Sequence, residues 1–99
     1  MAYFLLRLNA PRPTFPADAT DAETAAMDAH FGYWQAQADS GAAVAVGPVF
    51  DPAGPWGMAL VEVNDEAAAR TTADNDPVIA AGLGFRYDIF TIPSMILRQ

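Results

Sequence analysis

The sequence has no cysteine, no lysine and a single histidine. Without cysteine there is no disulfide, no thiol nucleophile and no thiolate metal site. Without lysine, the cations are five arginines set against twelve acids, for a formal net charge of −7. A nucleic-acid binder needs a basic footprint that releases counterions from phosphate, and this sequence has none. An anionic membrane surface is repelled for the same reason. No apolar run approaches the ~20 residues of a membrane span. Met1 to Leu8 lacks the basic n-region and cleavage site of a secretory leader. These absences lead to the expectation of a cytoplasmic protein with no nucleic-acid and no membrane partner.

Large apolar side chains are also fewer than the 53% hydrophobic content suggests, because 21 residues are alanine. Thirty-one larger apolar residues remain, 11 of them aromatic. That is enough for one core, so residues 1–99 are read as a single domain with closely approaching backbones.

Tyr3 to Leu8 reads as a strand, with Phe4, Leu6 and Leu8 on one face and Tyr3, Leu5 and Arg7 on the other. Three prolines within residues 9–19 forbid a helix and favour an ordered, extended loop. Thr20-Asp-Ala-Glu23 is a capping box, so a helix is expected from there to Asp39 or Ser40, closed by Gly41. Its apolar stripe is Met27, Phe31, Trp34 and Ala38, with His30 just to one side. Ala42 to Val49 and Trp56 to Val63 read as an antiparallel hairpin around a turn with two prolines and a glycine. Asn64 is the expected N-cap of an alanine-rich second helix that Pro77 ends. Asp76-Pro77 then restarts a short helical turn, and Gly84 to Ile92 is the last strand.

The order strand, helix, strand, strand, helix, strand predicts a ferredoxin-like α+β domain, βαββαβ. Both helices then lie on one face of a four-stranded antiparallel sheet. The other face would carry Tyr3, Leu5, Arg7, Met58, Leu60, Glu62, Arg86, Asp88 and Phe90. A monomer seldom exposes that much contiguous apolar surface, so a twofold homodimer through the open sheet face is expected.

His30 is the only side chain whose ordinary pKa lies near neutrality, which makes it the first candidate for proton transfer. Taken alone, a histidine beside an apolar stripe is more often a packed core residue. Asp76 reads first as an N-cap. A carboxylate has two oxygens, however, so it can cap the helix and also orient an imidazole. Asp74, Asp76 and Asp88 could be assembled into a carboxylate metal site, but one histidine and no cysteine do not make a zinc site of common type. No metal and no cofactor is expected. Tyr33, Trp34 and Trp56 could wall a pocket for an unknown small-molecule ligand. Arg7 and Arg86 are the candidates for holding an anion there.

Two segments together resemble the YCII-related (YciI-like) domain family. They are Ala29-His30, with its helix ending at Gly41 and Ala45-Val-Gly47-Pro48 beyond, and Asp74-Asn-Asp76-Pro77-Val78 with Ala80-Ala81-Gly82-Leu83. Phe85-Arg-Tyr-Asp-Ile89 stands where the family's final strand follows. The resemblance implies sheet-to-sheet dimers, the dimeric α+β barrel, and a pocket around a His–Asp pair that maps onto His30 and Asp76. The family includes a dehydrochlorinase of a chlorinated hydroxyhydroquinone; the Pro-rich loop, residues 9–19, departs from its pattern. The resulting expectation is a small-molecule enzyme, lyase, isomerase or hydrolase in type, that uses the pair for acid/base chemistry. The alternative is a non-catalytic ligand-binding or regulatory module.

Overall fold

The computed structural model describes all residues, 1–99. The elements are β1 (Ala2–Asn9), α1 (Asp21–Asp39), β2 (Ala43–Val49), β3 (Trp56–Val63), α2 (Glu66–Asp74), α3 (Pro77–Ala80) and β4 (Arg86–Ile92). The four strands form one antiparallel sheet in the order β2-β3-β1-β4. That is the expected ferredoxin-like α+β architecture, with β2 and β4 at the edges.

Local signals set most of the element ends. Thr20 accepts from the Glu23 N–H at 3.1 Å and the Glu23 carboxylate accepts from the Thr20 N–H at 2.9 Å, a complete capping box. Ser40 is the C-cap of α1, and Gly41 follows at φ 88°, where a side chain would be strained. The second helix is capped by Asp65, one residue later than expected, because Asp65 accepts from the Ala68 N–H at 2.8 Å. The last strand begins at Arg86 rather than Gly84, since Gly84 takes φ 93° and turns the chain into it.

Strand parity follows the sequence pattern. Phe4, Leu6, Leu8, Ala59, Val61 and Tyr87 are buried beneath the helices. Leu5 pairs with Leu60 and Phe90, and Arg7 with Met58 and Asp88, on the opposite, uncovered face. The alanines Ala69 and Ala73 of α2 are fully buried, and this helix packs over β1, β3 and β4. α1 packs over β2 and against α3. No helix is long and apolar enough to cross a membrane.

Two expectations change. The stripe Met27, Phe31, Trp34 and Ala38 is not the buried face of α1. That face is Glu23, Ala26, His30 and Trp34, and Phe31 is 63% exposed. The helix is rotated so that half of its apolar stripe looks sideways. The Pro-rich segment is coiled rather than extended. Its turns are closed by Phe15 N–H to Arg12 C=O, Ala17 N–H to Thr14 C=O and Ala19 N–H to Pro16 C=O. It is held as a strap against the head of α1 by Arg12, which donates to both oxygens of Glu23 at 2.7 Å and to Asp18 at 3.0 Å.

Candidate active site

Asp76 caps the four-residue α3 and is completely buried. One oxygen, Oδ1, accepts the Val78 N–H at 3.0 Å, the capping bond read from the sequence. The other, Oδ2, accepts three donors from three directions. These are His30 Nδ1 at 2.7 Å, Trp34 Nε1 at 2.9 Å and the Tyr87 hydroxyl at 2.5 Å. The Tyr87 oxygen also accepts from Trp34 Nε1 at 3.1 Å, closing the network. α1 supplies His30 and Trp34 at i and i+4, so both point to the same end of α3. β4 supplies Tyr87 from the sheet below.

Burial alone pushes the Asp76 carboxyl up. The hydrogen bonds from His30, Tyr87, Trp34 and Val78 outweigh that, and the group is held below its ordinary value. Burial, and then the charge of Asp76 and the hydrogen bond to it, push the Tyr87 phenol up, so it stays a donor. Burial and Asp76 also raise Tyr33. An ionised carboxylate only accepts, so the His30 proton sits on Nδ1. Whenever the ring is neutral, Nε2 carries the free lone pair. Nε2 has no protein partner, and no buried side-chain polar atom is left unpaired, so Nε2 meets the solvent of an adjoining cleft.

The cleft has a volume of about 760 Å³, within the ordinary range of small-molecule sites. His30, Trp34, Phe85 and Tyr87 form its floor. Met27 and Phe31 form one wall, which explains the sideways apolar stripe of α1. Phe15 and Pro16 of the strap form another, and Phe15 meets Phe85 edge to face at 5.2 Å between centroids. Pro48, Phe50 and Trp56 of the β2–β3 hairpin complete it.

The sequence candidates therefore separate. His30 and Asp76 are in contact, and Trp34 and Trp56 line the cleft. Trp34, taken as a pocket wall, is also a hydrogen-bond donor to the carboxylate. Tyr33 turns away and donates to the Thr72 C=O at 2.8 Å, tying α1 to α2. Arg7 lies on the open sheet face, donates to Asn9 and stacks 4.8 Å from the Trp56 ring centroid. Arg86 is exposed and, with Arg70 and Asp74, borders a second, smaller pocket, which shares Phe85 and Tyr87 with the cleft. Tyr87 and Phe15 are site residues that the sequence reading does not reach; Tyr87 carries a weak signal, as a polar-tipped aromatic on the strand face opposite Arg86, Asp88 and Phe90. No three histidine or carboxylate side chains converge as a metal site would need.

The strap wall is pH-sensitive. The Arg12 guanidinium, with the Thr20 N–H, lowers Glu23 to about 2. A carboxyl depressed in the folded state contributes stability above its unfolded value, and that stability is lost as pH falls toward the folded value. The melting temperature should therefore fall between about pH 4.5 and 2. In Arg12→Ala that fall should be shallower, because Glu23 titrates closer to its unfolded value. Calorimetric melts across this range check it. Equal slopes in the two proteins would dismiss the ion pair as a stabiliser.

A ferredoxin-like α+β domain with a histidine–carboxylate pair at the floor of an apolar cleft is the class of protein defined by this fold and site. The YCII-related domain family matches the chain over residues 1–93, and the protein belongs to that family. No curated protein matches it.

Proposed function

We propose that the protein is a small-molecule enzyme in which His30, oriented by Asp76, moves a proton to or from a ligand held in the cleft. The observation that supports this most is the state of the pair. Nδ1 is committed to a buried, ionised carboxylate, and Nε2 is free at the floor of the cleft. A fixed tautomer with one open nitrogen is what a general base requires, and its protonated form returns the proton as a general acid. Asp76 needs no proton of its own, since three donors on Oδ2 favour the anion throughout. Elimination, isomerisation and water-activated hydrolysis all fit one such base. The test is mass spectrometry on compounds that co-purify with the protein. Conversion by the wild-type protein and its loss in His30→Gln support the enzyme. Binding without conversion in either protein supports the non-catalytic alternative.

The reading includes a homodimer through the open sheet face. That face carries Leu5, Met58, Leu60 and Phe90 with Arg7, Arg86, Glu62 and Asp88. Its two arginines balance its two acids in a chain of net charge −7, so it is where two copies can meet with least repulsion. Both charge signs also allow pairing across a twofold axis. In Leu60→Glu the twofold brings two unpaired carboxylates together at the interface. Dimer affinity should weaken at least ~30-fold, corresponding to a loss of about 2 kcal/mol. Sedimentation equilibrium measures this. A wild-type protein that is monomeric at high micromolar concentration would rule the dimer out.

A further inference from the structure

We infer that the cleft takes an uncharged, largely apolar small molecule and turns anions away, because no arginine side chain lines it. This rests on the cleft of the proposed function and names the class of ligand it admits.

The chain has five arginines and no lysine, so its cations can all be followed. Arg12 is fastened to Asp18 and Glu23. Arg7 is not in the lining; it donates to Asn9 and stacks on Trp56, so the ring of that lining residue is what carries its guanidinium. Arg70 and Arg86 border the smaller pocket. Arg98 is exposed in the tail after β4 and is not in the lining.

The groups of the cleft that can carry charge are His30, Tyr87 and Asp28. His30, even when protonated, is matched by the Asp76 carboxylate at 2.7 Å, so the pair offers no net positive charge. Tyr87 keeps its proton for Asp76. Asp28 is exposed and negative, on the same helix as His30. A carboxylate, phosphate or sulfate would lose its water among Met27, Phe31, Phe85 and Trp56 and gain no cation in return, which is costly. The net charge of −7 opposes its approach as well. An uncharged ligand meets no such penalty. It can place one polar or proton-bearing group at His30 Nε2, with Gln35 and Thr24 as the remaining uncharged polar side chains of the lining.

The experiment uses two probes of one shape, 2-naphthylmethanol and 2-naphthoate. His30 is the only histidine, so its ring Cε1–H gives one proton resonance that reports on the floor of the cleft. Titrations at pH 7 should show saturable shifts with the alcohol and an affinity at least about tenfold weaker for the naphthoate. Gln35→Arg places a cation in the lining, and it should shift the preference about tenfold toward the naphthoate relative to the alcohol. Naphthoate binding as tight as the alcohol's in the wild-type protein overturns the inference. So does a failure of the alcohol to shift the resonance at millimolar concentration. These outcomes are read as binding. They are distinct from failure of the proposed reaction, which shows as unchanged mass of a bound compound.

Discussion

Asp76→Ala is expected to lower the melting temperature by on the order of 20 °C, from a loss of about 3–5 kcal/mol. The carboxylate is fully buried and is the common acceptor of His30, Trp34, Tyr87 and the Val78 N–H. Its removal unfastens the cap of α3 and strands donors from α1 and β4 in a place water reaches poorly. Trp34 and Tyr87 can still bond to each other, which sets the lower end of the range. Asp76→Asn keeps the volume and a cap oxygen but loses the charge and turns an N–H₂ toward donors. It should cost less, about 1–3 kcal/mol. Urea or thermal denaturation at fixed protein concentration measures both variants, since association shifts apparent stability. A shift of only a few degrees in Asp76→Ala would mean that the network is not part of what holds α1 and α3 to the sheet.

His30→Gln should abolish most turnover of a converted ligand, about 10²- to 10⁴-fold, the usual contribution of a positioned acid/base group. Glutamine can still donate to Asp76 Oδ2 and fill the floor of the cleft. It has no group that takes a proton near neutral pH. The fold should therefore survive with a modest change in stability, and binding of the uncharged probe, followed in this variant by titration calorimetry, should persist. This separation of turnover from binding and stability is the informative result. If rate and binding fall together by the same factor, His30 holds the ligand rather than transforming it. If neither changes, the pair is a structural link between α1 and α3.

Much of this protein is written locally in its sequence. Strand alternation fixed the two faces of the sheet, and the capping box at Thr20–Glu23, Gly41 and Asp76-Pro77 fixed helix ends, because these signals act within a few residues. The same patterns placed His30 on a helix and Asp76 at a cap.

Contact between those two residues, 46 positions apart, was not legible from spacing. The family resemblance supplied it, and the packing of α1 on α3 brings it about. The facing of α1 was likewise a tertiary matter. Periodicity identified an apolar stripe, but periodicity does not distinguish a stripe that faces the core from one that faces a ligand cleft. The contacts of His30 and Trp34 with the buried carboxylate turn the helix, and Met27 and Phe31 are left to line the opening. The Pro-rich loop reads as non-helical and extended; its own turns coil it instead, and the Arg12 clamp on Glu23 makes it a wall of the site.

The missing lysines, at first a reason to exclude nucleic acid, gained their full meaning only in three dimensions. The sequence counted the cations, and in the fold none of the five arginines lines the cleft. Composition is a sum over the chain, whereas the chemistry of a site depends on which side chains converge there.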